Sequence, residues 1–217
     1  IQAGLQLAAG VIGTLASARL SGVAPERLSE QQMLTGLLAF LLLSQVAVAA
    51  LTWAAAGFFG GSRREVLGLA GRAPSIAEIA TALVGLVLVL GTFNMLVYLL
   101  RPDLFLSDMR QFLPMIREPV WPLTALAVGI GAPVSEELLF RGFLLSALSQ
   151  TRLGFAGAAV ISTVAWTALH AGYSVAGMLE VLLIGFFFAW LVWRTGNLWL
   201  PIVCHAVYNG ALFVLLS

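Results

Sequence analysis

Lysine is missing altogether: every one of the eleven basic residues is an arginine. Charge of either sign is scarce, at 10% of 217 residues with a net charge of +1, against 60% hydrophobic residues and a mean hydropathy of +0.99. That balance excludes a soluble domain, which cannot expose so much apolar surface to water. It also excludes a nucleic-acid partner, which demands a basic surface. The single cysteine, Cys204, excludes an internal disulfide, and because it sits in an apolar run it says nothing of compartment. The only aspartates, Asp103 and Asp108, fall in a polar connection, so an aspartyl dyad at membrane depth is excluded. No His-Glu-x-x-His occurs, which rules out a two-histidine zinc helix. No Gly-x-Ser-x-Gly occurs either, and the stretch from Gly172 to Gly177 has the wrong spacing for a serine elbow.

What is abundant is long apolar runs. They cover about Ile1–Ala18, Met33–Gly60, Ile76–Leu100, Val120–Gln150, Phe155–Ala171, Val175–Trp193 and Leu198–Leu216. At about 1.5 Å per residue, each is long enough to cross about 30 Å of hydrocarbon as a helix. The runs are continuous rather than alternating, which excludes strands. The expectation is an all-α, polytopic transmembrane bundle of about seven spans, or eight if a further span precedes Ile1. Ile1–Ala18 lacks a charged leader and a clear cleavage site and reads as a span, not a signal peptide. The connection Arg101–Pro119 mixes Asp103, Asp108, Arg110, Arg117 and Glu118 with Leu, Phe and Met, and reads as an amphipathic interfacial piece. Residues 1–119 are taken as N-terminal helices plus this connection, and 120–217 as a catalytic helical core, within one integral membrane domain. Arginines divide evenly between the two sets of connections, so orientation is weakly encoded; the set with Arg63, Arg64, Arg72, Arg152 and Arg194 is assigned to the cytoplasm.

One stretch breaks the apolar pattern. Ala132-Pro133-Val134-Ser135-Glu136-Glu137-Leu138-Leu139-Phe140-Arg141 sets three charges inside a span, at about 2.5–3.5 kcal/mol each on insertion scales. Gly129, Gly131 and Pro133 are expected to kink the preceding helix, with Ser135 capping a new start and both glutamates in its first turn. Glu137 and Arg141 are spaced i,i+4, acid before base, the favourable order for an ion pair. Glu136 points about 100° away. One carboxylate is therefore neutralised structurally and the other is free for chemistry.

The only two histidines also lie in spans: His170 after Trp166-Thr167-Ala168-Leu169, and His205 four residues before Asn209, on the same helix face. By helical rise, Glu136 and His170 lie about 20 and 24 Å from the same membrane side, and His205 about 10 Å from it. Tilt, or entry of the Gly196-Asn197 connection into the bundle, must close that gap. Any one of these residues alone has a structural reading: a helix start, or a hydrogen bond between helices. Glu180 and Asn94 are assigned to that class, and Tyr208, beside Asn209 but off its face, is not counted among the candidate site residues. Phe186, Phe187, Phe188, Trp190 and Trp193 read as lipid-facing or interfacial filling. The coincidence of the only acidic pair, both histidines and a His-Asn pair at membrane depth favours chemistry.

Glu136-Glu137-x-x-x-Arg141, Trp166-x-x-x-His170 and His205-x-x-x-Asn209, in that order, resemble the CPBP family of intramembrane proteases, the type II CAAX prenyl endopeptidases and their bacteriocin-processing and immunity relatives. The resemblance spans about Val120 to the C-terminus; Trp166 departs from the commoner Phe and keeps an aromatic wall. The resemblance implies that Glu136 and His170 activate a water and that His205 and Asn209 stabilise the oxyanion. Glu137 and Arg141, with Trp166, are supporting residues. Burial fits a glutamate base working near neutral pH, and a neutral His205 N–H with the Asn209 amide fits an oxyanion site. Glu136, His170 and His205 are also an acceptable zinc set, so metal-bound and metal-free water both stay open. The expected partners are the bilayer and a membrane-embedded or lipidated peptide or protein substrate. The Ala/Gly/Leu-rich, arginine-only composition fits a bacterial inner membrane. The alternative is a non-proteolytic scaffold, immunity or assembly subunit of the same fold in a larger membrane complex.

Overall fold

A computed structural model describes residues 2–22, 24–116 and 119–216. Its long helices are α1 (Gln2–Ser21), α2 (Glu30–Ala56), α4 (Ile76–Leu100), α5 (Trp121–Ser149), α6 (Gly154–Ala168), α7 (Val175–Thr195) and α8 (Trp199–Leu216), with a single turn, α3 (Arg63–Val66), between α2 and α4. The seven long helices answer to the seven apolar runs. Five of them, counted from Glu30, are long and apolar enough to cross a membrane. Helix α6 is apolar but has only 15 residues.

Local chemistry accounts for the helix starts. Ser29, Ser62 and Ser75 each accept from the backbone N–H three residues on, while Gln32, Glu65 and Glu78 reach back to the serine N–H. These reciprocal capping boxes satisfy N–H groups that a helix start leaves unpaired. Gly196, at φ 62°, ends α7 in the left-handed region that a side chain would disfavour. The interfacial connection is not a span. It winds through a tight helical stretch, Ser107–Met115, and Asp108 accepts from Ser174 N and Oγ, both at 2.7 Å, at the start of α7. Its Arg117 and Glu118 lie outside the described residues.

Helix α5 is the axis of the bundle and touches α2, α6, α7 and α8, whereas α4 packs on α7 and α8. The main core gathers Phe140, Trp166, Ile184, Phe188, Leu200 and Cys204 with Leu86 and Leu90 of α4. Large apolar side chains such as Leu43, Leu51, Val87, Leu99 and Leu215 face outward, as a lipid-embedded bundle requires.

The expected break before Ser135 does not occur. Helix α5 runs through Pro133, and Ser135 is not a cap: its Oγ donates back to Gly131 O at 2.8 Å. The helix instead widens into two π-helical stretches, Ala127–Gly131 and Leu138–Leu144, one on each side of the acidic pair. A π-turn absorbs the missing proline N–H locally, so the helix need not stop.

Candidate active site

The acidic pair divides as the i,i+4 spacing predicts. Glu137 Oε1 accepts from Arg141 Nη1 at 3.0 Å, and both side chains are fully shielded from solvent. The same oxygen lies 3.0 Å from His205 Nδ1, so an ionised Glu137 fixes the tautomer with the proton on Nδ1. Arg141 Nη2 donates to Gly185 O at 3.3 Å, and its guanidinium stacks 4.2 Å above the Trp166 ring. Gly185 leaves no room for a side chain here, because a Cβ would stand 2.6 Å from Thr163 Cγ2 and 3.1 Å from both Arg141 Nη2 and the indole. A buried pair that kept fewer of these partners would not recover the cost of desolvating its charges.

Glu136 turns the other way and is only half-buried. Its Oε2 accepts a 2.6 Å hydrogen bond from Trp166 Nε1. Trp166 is thereby a hub. The His170 ring lies 5.1 Å from it, the His205 ring 5.7 Å and the Arg141 guanidinium 4.2 Å, while Glu136 is bonded to its indole nitrogen. Residues from α5, α8 and the end of α6 therefore converge on one side chain. His170 Nδ1 lies 3.1 Å from Trp166 O, which as an acceptor places the proton on Nδ1. Both histidines therefore use Nδ1 for orientation and leave Nε2 as the working nitrogen.

This corrects one sequence expectation. A neutral His205 has already given its N–H to Glu137, so its Nε2 accepts rather than donates; it donates to an oxyanion only as imidazolium. Asn209 is also engaged: its Nδ2 donates to Val128 O at 2.8 Å. An amide nitrogen carries two N–H groups, so one remains for a substrate oxygen. The metal arrangement fares differently. Among the described residues no three His, Cys, Asp or Glu side chains converge so as to hold a metal. A cavity of about 500 Å³ lined by Trp53, Gly57, Arg63 and Arg64 touches none of these residues.

Glu180 and Asn94, read from sequence as structural, are bonded to each other at 2.8 Å, and Tyr208 OH donates to the same Glu180 oxygen at 3.2 Å. The three tie α4, α7 and α8 together. Sequence reasoning missed the role of Trp166: an indole N–H, which phenylalanine lacks, holds the free carboxylate.

Residues 118–211, less than half of the chain, match the family model described as type II CAAX prenyl endopeptidase Rce1-like. That region is similar to this family. It contains each of the seven residues named above from the three motifs, from Glu136 to Asn209. Among curated proteins, the chain is 36% identical over 89 residues to YdiL of Bacillus subtilis, whose name marks it as a candidate membrane peptidase; the match covers 41% of this chain and 35% of YdiL. It is 29% identical over 82 residues to the UPF0177 protein YxdF of Lactococcus lactis, covering 38% of this chain and 44% of YxdF. The chain thus spans less than half the length of either relative. No solved structure gives a significant match.

Proposed function

We propose that the bundle is an intramembrane endopeptidase that hydrolyses a peptide bond of a membrane-embedded or lipidated polypeptide. The observation that carries the reading is the convergence on Trp166 of Glu136, His170 and His205 from three helical segments, with one glutamate oxygen and both Nε2 atoms uncommitted to protein partners among the described residues. Nothing in local sequence forces that meeting.

In this reading Glu136 Oε1 takes a proton from a water held beside His170 Nε2, and the water oxygen attacks the scissile carbonyl. The tetrahedral oxyanion is met by the second N–H of Asn209 and, when His205 is doubly protonated, by its Nε2–H. Collapse breaks the C–N bond, and the proton on Glu136 passes to the leaving amine. Glu137, Arg141 and Gly185 hold Trp166 and His205 in place. The protein works in a bacterial inner membrane, alone or within a larger membrane complex.

The test is substrate trapping with Glu136→Gln from native membranes. A polypeptide retained by the variant but cut by wild type supports the reading. A partner held equally by both and never cut points to a scaffold or immunity subunit instead.

A further inference from the structure

We infer that Gln45, on α2 and outside the region matched to the family, is a positioning residue for Asn209 and so for the oxyanion side of the proposed site. The inference rests on the protease reading for its catalytic meaning but not for its geometry. In the first π-turn Ala132 N–H donates to Ala127 O, five residues back. The next N–H in that register would come from Pro133, which has none. Val128 O is thereby left without the donor five residues on, and the N–H four residues on is already used by Ala127. Asn209 Nδ2 fills that place at 2.8 Å. On the α2 side, Gln45 Nε2 donates to Ala127 O at 3.1 Å, so two amides from different helices grip adjacent carbonyls of one widened turn. Gln45 is 8% exposed, and a Cβ on Gly131 would stand 2.0 Å from its Oε1; only glycine admits the amide there.

Each part has a stated physical job. Pro133 creates the acceptor for Asn209, Gly131 clears room for Gln45, and Gln45 holds the turn at the register that presents Val128 O. With one N–H of Asn209 fixed on Val128, the direction of the second is set before any substrate arrives, which is what a preorganised donor needs. The N-terminal helices thus complete a site whose chemistry lies in the C-terminal half.

The deciding experiment labels asparagine side chains with 15N in the full chain in detergent micelles. Three pairs of amide signals are expected, from Asn94, Asn197 and Asn209, and Asn209→Ala identifies its own. Gln45→Met should shift the Asn209 pair and speed its proton exchange by about tenfold, as loss of a hydrogen bond worth ~1.4 kcal/mol would, and leave the other two in place. Gly131→Ala, which must push Gln45 off Ala127, should do the same. An unmoved Asn209 pair in both variants overturns the inference, and so does a shift of all three pairs in both, which would make Gln45 a packing residue. With a trapped substrate in hand, Gln45→Met should lower kcat by about tenfold at unchanged KM, and have no further effect in an Asn209→Ala background. Additive losses would overturn the coupling. If wild type cleaves nothing, the protease reading fails while the asparagine signals still decide the position of Asn209.

Discussion

Glu136 and Glu137 are neighbours in the chain, yet they belong to two different regions of the molecule. On the Glu137 side the carboxylate is sealed at 0% exposure and shared between an arginine and a histidine, with the Gly185 carbonyl taking another arginine N–H. On the Glu136 side the carboxylate is half-buried and holds a single indole N–H. On the proposed protease reading, the contrast teaches how a membrane protein would keep a reactive carboxylate. Charge that serves structure is paired with an opposite charge, because at membrane depth an unpaired charge is expensive. Charge available for chemistry is partnered once, which orients it and leaves an oxygen to work.

Breaking the sealed side should have the largest effect. Arg141→Ala leaves Glu137 buried without its cation and removes the guanidinium from Trp166, so stability should fall by about 3–5 kcal/mol. Thermal melting in detergent checks this, and an unchanged midpoint would contradict the sealed arrangement. Glu136→Gln should do the opposite: cleavage falls at least 100-fold, ~2.7 kcal/mol in barrier, while the melting midpoint stays near wild type. Cleavage at close to the wild-type rate would remove Glu136 from the role of base. Trp166→Phe sharpens the comparison, because it deletes the indole donor to Glu136 and keeps an aromatic face beneath Arg141. Turnover should drop by about tenfold, as loss of a hydrogen bond worth ~1.4 kcal/mol implies, with a smaller change in stability than Arg141→Ala causes.

An ion pair in water supplies the control. Arg101 Nη2 and Asp103 Oδ2 are 2.8 Å apart with both side chains more than half exposed. The hydrogen bond from Arg101 holds the Asp103 carboxyl below the usual carboxylate range. A depressed folded-state value adds stability above the unfolded value and loses it as pH falls through the folded one, so any contribution vanishes only in acid. Because solvent and salt screen this pair, Asp103→Asn should melt with wild type at neutral pH and physiological salt. A clear drop there would mean that the interfacial connection bears more load than its exposure implies.

Composition and run length alone determined that this is a helical membrane protein, because a 60% hydrophobic chain with continuous apolar runs has no other stable arrangement. The i,i+4 spacing of Glu137 and Arg141 likewise determined their pairing, since a helix places those positions on one face whatever surrounds it. Glu136, His170 and His205, which the motifs single out, meet around Trp166. The course of α5 was not legible: proline and glycines predict a break, but packing against α2 and α8 supplies the Gln45 and Asn209 amides that let a π-turn replace it. Nor could the sequence tell that Trp166 bonds Glu136, or that His205 spends its N–H on Glu137. Those contacts join residues 30 and 68 positions apart. Periodicity records which face a residue occupies, while the partner it meets across that face depends on how the helices cross, and only the tertiary structure decided that.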